Sequence, residues 1–272
     1  MPYVSNNGVR IHYQVEGQGA PLMLVHGMGG SMDSWRSPGY VEELSKNHRL
    51  ILIDMRGFGS SDKPHDPVAY GFQPRIEDLV AVLDDLGIAR TGYFGYSMGG
   101  RVGFRIPVHA PNRFSYLILG GMGYPITGTE EKEDGNAIQT QRDLETAIKV
   151  APDKPMEFIA AVREKRTGVT LSPDRKAILL ANDALVFLVY VRASQSIVSL
   201  KAGEVLPNIG VPCLLFAGEG DPWFSTAQKS ADLIPGARFV SLPELDHVEA
   251  FQRSDLVLPH VKEFLSGMSE VE

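Results

Sequence analysis

Short apolar runs alternate with amphipathic helical runs along most of this chain, and the rhythm is suspended only between residues 122 and 205. Val9 to Val15 alternates apolar and polar residues like a half-exposed strand. Pro21–Val25 and Arg49–Ile53 are compact apolar runs, as a sheet covered on both faces requires. Ile76, Leu79, Val80, Leu83 and Leu86 recur at helical spacing, which predicts a helix over 74–87 with Gly87 as its stop. A strand over Thr91–Tyr96, a helix from Met98 to about His109 and a fourth buried run at Tyr116–Leu119 follow.

Residues 122–205 contain no convincing strand. Helices are expected there near 137–150, 155–166, 173–186 and 187–200, the second with Pro155 near its N-terminus. The alternation resumes with strands at Val211–Phe216 and Arg238–Leu242 and helices near 225–234 and 255–266. If the chain were two tandem domains, the strands on each side of the helical stretch would lack a sheet. The expected class is therefore α/β, with a core built from residues 1–121 and 206–272 and an inserted helical cap at 122–205. The terminal residues 267–272 are expected to fray.

With 43% hydrophobic and 22% charged residues, 272 residues in all, the chain has the composition of an ordinary globular protein and can bury a core without disulfides or metals. The single cysteine, Cys213, lies in a strand-like run and reads as a small core hydrophobe. The N-terminus lacks the basic start and apolar core of a signal peptide, and no stretch approaches a membrane span, so the cytoplasm is the default location. A net charge of −7 argues against nucleic acid and anionic membranes as partners.

Between the strand at 91–96 and the helix after it stands Gly95-Tyr96-Ser97-Met98-Gly99. A G-x-S-x-G pattern arises by chance about 0.1 times in a chain this long. Its spacing has a physical reason: a serine projected from a very tight strand-to-helix turn leaves almost no room for side chains two residues before or after it. His26-Gly27-Met28-Gly29-Gly30 follows the strand ending at Val25. A tetrahedral intermediate on Ser97 needs two preorganised N–H donors, and the amides of Met98 and Met28 are the candidates. His26 is read as a loop-fixing residue, with a chemical role as the rival. No Gly-Lys-Ser/Thr follows this loop, which argues against phosphate binding.

Asp221 lies just beyond the strand 211–216, where a carboxylate can hold an imidazole in one tautomer, and Glu219 is its alternative. His247 alone among seven histidines stands between the last strand and the last helix. His12, His48, His65, His109 and His260 read as surface or structural groups, and Asp246 is a neighbour that could tune His247. No ligand-like spacing implies a metal.

On these motifs, in the order Ser97, Asp221, His247, residues 20–120 and 205–265 resemble a capped α/β hydrolase. The run Asp54-Met55-Arg56-Gly57-Phe58-Gly59-Ser60-Ser61-Asp62 resembles the turn after that family's fourth strand, and its Arg and Asp read as a salt-bridged loop. The resemblance implies an eight-stranded, mostly parallel sheet with helices on both faces and the active site under the cap. Serine in place of the aspartate that dehalogenases and epoxide hydrolases of this fold carry implies acyl transfer to water, with no cofactor and no metal.

The expected activity is hydrolysis of small to medium hydrophobic carboxylic esters. Enol-lactone or carbon–carbon bond hydrolysis is the nearest alternative, kept open by Arg192, which reads as a solvated helix residue with an anion-binding cap residue as the rival. Val248 after the histidine and Tyr96 before the serine, where related C–C hydrolases often place tryptophan and asparagine, argue against it. A ligand receptor that retains the triad is the non-enzymatic alternative. Partners are expected to be an ester-like small molecule and water, with room for a homodimer through the cap. Phe158, Leu180, Phe187, Leu188, Tyr190, Met156, Trp223 and Phe224 are expected to be mostly core, a few lining a pocket, and Trp35 to be core.

Overall fold

A computed structural model of the chain describes residues 2–125, 130–168, 170–196 and 201–268. Eight strands form one sheet in the order β1-β2-β4-β3-β5-β6-β7-β8. These are β1 Tyr3–Asn6, β2 Val9–Glu16, β3 Ala20–Val25, β4 His48–Ile53, β5 Thr91–Tyr96, β6 Phe114–Gly120, β7 Cys213–Gly218 and β8 Arg238–Leu242. β1 and β2 pair antiparallel, as do β2 and β4; the other neighbours run parallel. β1 has no counterpart among the strands read from the sequence, because its four residues carry no long apolar run.

Strand side chains alternate between two cores. Met23, Val25, Ile51, Ile53, Tyr93, Leu117, Leu119 and Leu215 face one side. Leu22, Leu24, Leu50, Leu52, Phe94, Ile118, Leu214 and Phe216 face the other. Both faces are covered, which is why these strands read as continuous apolar runs. The helices are α1 Tyr40–Leu44, α2 Phe72–Asp85, α3 Met98–Gly103, α4 Ile106–His109, α5 Glu130–Val150, α6 Pro155–Thr167, α7 Pro173–Leu180, α8 Ala184–Ser196, α9 Ala202–Val205, α10 Phe224–Leu233, α11 His247–Gln252 and α12 Ser254–Met268. α2 packs its Ile76, Leu79, Val82 and Leu83 on the first core. α1 and α12 cover the second, with Trp35 buried among Tyr40, Phe94 and Phe251 as expected.

The helices α5 to α8 form an insertion between β6 and β7, and their buried residues, Leu144, Met156, Leu179 and Phe187 among them, continue the first core. Several expected helices differ in extent, and the one expected near 137–150 begins at Glu130. The run 173–186 stops at Leu180 and a new helix starts at Ala184, because Asp183 accepts the N–H groups of Leu185 and Val186 and so begins a helix of its own. The expected helix 98–109 divides into α3 and α4 around Phe104 and Arg105, next to Pro107, which cannot donate a helical hydrogen bond. Of the residues 267–272 expected to fray, Gly267 and Met268 close α12, and 269–272 lie outside the described residues. No single helix among the described residues is long and apolar enough to cross a membrane.

The loop after β4 also differs from its reading. Arg56 pairs not with an aspartate of its own run but with Asp78 on α2, through Nε–Oδ2 and Nη2–Oδ1 contacts of 2.6 Å each. Asn6 of β1 donates to the same carboxylate and the Ala69 carbonyl accepts from Arg56, so the buried pair is fully hydrogen-bonded. Asp62 pairs instead with Arg10 at the surface. Asp54 accepts from Met32 N–H and Ser60 N–H and lies 2.9 Å from His12 Nδ1, which ties β2, β3 and β4 ends together. Arg56→Ala is expected to destabilise the fold by about 3–5 kcal/mol, because it leaves a buried carboxylate unpaired. Urea denaturation checks this, with Arg10→Ala expected to leave the midpoint nearly unchanged.

Candidate active site

Ser97 follows β5 at φ 53° and ψ −108°, a left-handed conformation that a residue with a side chain adopts at a cost of order 1–3 kcal/mol. Its N–H donates to the Gly120 carbonyl at 2.8 Å and its carbonyl accepts from Arg101 N–H at 2.9 Å. A Cβ on Gly95 would overlap the Gly99 backbone, and one on Gly99 would overlap the Val25 carbonyl. The glycines of the motif are therefore required by the close approach of β3, β5 and α3. Tyr93 Oη closes this turn by donating to the Gly99 carbonyl at 2.7 Å.

The structure brings Ser97, Asp221 and His247 together. Ser97 Oγ lies 3.0 Å from His247 Nε2, and His247 Nδ1 lies 2.7 Å from Asp221 Oδ2. The Asp221 side chain is fully buried and its other oxygen accepts Trp223 N–H at 2.9 Å, while the imidazole keeps 29% of its surface exposed. A carboxylate on Nδ1 keeps the proton there and leaves Nε2 free to accept the Ser97 hydroxyl. The two loops that carry acid and base are joined by Glu219 N–H to Leu242 O and Gly220 N–H to Leu245 O. Glu219 itself is exposed and accepts from Ser241 Oγ, so it does not take the place of Asp221.

Two further groups fix His247, and the sequence pattern did not single out either role. Tyr96 Oη donates to the His247 carbonyl at 2.6 Å, with the two rings 5.4 Å apart. Asp246 caps α11, whose first residue is His247, by accepting the N–H groups of Val248 and Glu249. It acts on the backbone of the loop rather than facing the imidazole.

Gly27 lies against the serine, since a Cβ placed on it would be 3.4 Å from Ser97 Cβ. Gly30 N–H donates to the Gly27 carbonyl across a tight turn in which Gly29 takes φ 74°. Met28 stands in that turn, and Met98 is the first residue of α3, where no carbonyl four residues back can accept its N–H. His26 is fully buried; Nε2 accepts Met55 N–H at 3.2 Å, so Nδ1 carries the proton and donates to the Gly27 carbonyl at 2.8 Å. Both ring nitrogens are engaged, and burial lowers the pKa of the imidazole, so His26 stays neutral and holds the loop.

A model of the alpha/beta hydrolase fold matches residues 20–200. The chain belongs to the alpha/beta hydrolase fold family. Over 97% of its length this hydrolase is 25% identical to a Bacillus subtilis (strain 168) protein, named as a 2-succinyl-6-hydroxy-2,4-cyclohexadiene-1-carboxylate synthase, over 97% of that protein. A 2-hydroxymuconate semialdehyde hydrolase of Pseudomonas sp. (strain CF600) is 36% identical over 124 residues, spanning 44% of each chain. The crystal structure of the enol-lactonase from Burkholderia xenovorans LB400 superposes at TM-score 0.80 with 24% identity, covering 97% of this chain and 100% of that one. At that identity the likeness speaks for the fold.

The remaining candidates fall outside the serine–histidine–aspartate arrangement. Cys213 is buried in β7, and burial pushes its thiol up to about 12, which leaves it unreactive. His12 is buried against Asp54, and His65 is exposed. Arg192 is half exposed and paired with Glu145 on α5. Met156, Phe187, Leu188 and Tyr190 are buried, while Phe158, Leu180, Trp223 and Phe224 keep partial exposure. Among the described residues no group of three His, Cys, Asp or Glu side chains could hold a metal ion.

The neutral His26 has a consequence for stability. Its folded-state pKa lies below the ordinary imidazole value, so its contribution is fully present above that value and is lost as pH falls through it, when only the unfolded chain takes up the proton. His48 and His109, lowered by burial, act in the same direction. The urea midpoint is expected to fall below about pH 6.5, and His26→Asn is expected to flatten that slope.

Proposed function

We propose that this hydrolase cleaves carboxylic esters of small to medium hydrophobic substrates through an acyl-enzyme on Ser97. The observation that carries the reading is the unbroken hydrogen-bonded path from Ser97 Oγ through His247 to the buried Asp221 carboxylate. As Ser97 Oγ attacks the ester carbonyl, His247 Nε2 takes its proton and the carbonyl oxygen becomes an anion facing the Met28 and Met98 amides. His247 then gives the proton to the departing alcohol, leaving the acyl group on Oγ. A water molecule, deprotonated by the same nitrogen, attacks the acyl-enzyme; collapse releases the acid and returns the proton to Ser97.

Hydrophobic substrates fit the apolar groups near the oxyanion turn. Phe187 and Leu179 of the insertion pack on Gly29, Met28 is 39% exposed, and Trp223 is half-buried beside Asp221. Arg192, on which a C–C bond hydrolase reading drew, pairs with Glu145 at the surface, which weighs against its binding a substrate anion. Relatives named for such different reactions leave the choice of bond to this site's own geometry.

A panel of p-nitrophenyl esters from acetate to octanoate tests the reading. The wild type is expected to turn over many times, with Ser97→Ala lowering kcat by about four to six orders of magnitude. A folded wild type that turns over none of them would favour vinylogous diketone substrates, or a receptor role if those also fail.

A further inference from the structure

Between α7 and α8 the insertion bends by 83°, and Asn182 in that bend reaches into the oxyanion turn. The residue is 8% exposed. Its Nδ2 lies 3.0 Å from the Gly29 carbonyl, 3.0 Å from that of Ile178 and 3.1 Å from that of Leu179. Three carbonyl oxygens around one amide atom identify it as the nitrogen, since an oxygen there would meet only acceptors. The other amide atom, Oδ1, is buried with no hydrogen-bond partner. An apolar residue in the bend would avoid that cost, so whatever Asn182 contributes comes through its nitrogen.

The nitrogen completes a clamp. On the core side His26 holds the Gly27 carbonyl. On the insertion side Asn182 holds the Gly29 carbonyl, and Phe187 and Leu179 fill the space a Cβ on Gly29 would need, at 3.3 and 3.7 Å. Met28 stands between the two anchored residues. We infer that Asn182 is a positioning residue that sets the orientation of the Met28 amide through the Gly29 carbonyl, making the insertion part of the catalytic geometry as well as a cover. The inference rests on the proposed role of that amide as an oxyanion donor.

Asn182→Asp tests it, because a carboxylate of the same shape turns a donor into a charge facing the Gly29 carbonyl. In p-nitrophenyl ester hydrolysis kcat is expected to fall by about 10–100-fold with KM changed less than about threefold, as for loss of transition-state stabilisation alone. The rate at which a p-nitrophenyl alkylphosphonate labels Ser97 is expected to fall in parallel, since its phosphoryl oxygen occupies the same donors. The variant-to-wild-type ratio of kcat is expected to rise as pH is lowered, because a protonated carboxyl can donate again and burial raises its pKa.

Asn182→Ser, too short to reach Gly29, carries the test if the aspartate variant does not fold. Folded variants with kcat within about twofold of wild type, or with the whole loss in KM, would overturn the inference. So would a failure of both variants to fold, which would make Asn182 a structural clamp only. A wild type that is labelled at Ser97 but turns over no ester would defeat the esterase reading, and the labelling rates would then decide on Asn182 alone.

Discussion

The backbone of Ser97 sits at positive φ without a glycine to relieve it, and much of the surrounding sheet is arranged to keep it there. β5 lies between β3 and β6, with Val25 opposite Gly95 and Gly120 opposite Tyr96. That register puts the Gly120 carbonyl where the Ser97 N–H needs an acceptor and the Val25 carbonyl where α3 must begin without a Cβ at Gly99. The same parallel strands end along one edge. β3 therefore delivers the Gly27–Gly30 turn, β7 delivers Asp221 and β8 delivers His247 to the same place.

Several buried polar groups around this edge are held by one another or by the backbone, although Asn182 Oδ1 and His12 Nε2 are not. His26 uses both ring nitrogens on backbone groups, Asp54 takes two backbone N–H groups and faces the His12 ring, and Arg56 and Asp78 satisfy one another. His247 differs in its partners: one nitrogen lies on a carboxylate and the other on a hydroxyl, at a partly exposed position.

Local chemistry made part of this legible in the sequence. The central strands announced themselves as apolar runs because both faces are buried, and Ser97 and Asp221 each followed one of them, while His247 followed the edge strand β8. The pairing of Arg56 with Asp78 was not legible, because it joins a loop to a helix face that lies beside it only after the sheet has formed. Asn182 was hidden for a related reason: it sits inside an apolar helical pattern, and only the bend at Ala181–Asp183 turns its amide toward Gly29. β1 was missed since four half-exposed residues carry too little pattern. Side chains that stand in a local motif can be read early even when their partners are distant; those whose role comes only from tertiary packing cannot.

The insertion between β6 and β7 has a consequence for the birth of the protein. Leu117 pairs with Cys213 only after the whole helical segment has been made and its ends drawn together, and pairings so distant in sequence form slowly. During synthesis the elbow at Ser97 emerges well before Asp221 and His247. The nascent chain thus carries the Ser97 hydroxyl without its histidine partner, and the hydrogen-bonded set is completed late, as the last two strands dock. Tyr96, whose hydroxyl waits for the carbonyl of His247, then links the oldest part of the site to the newest.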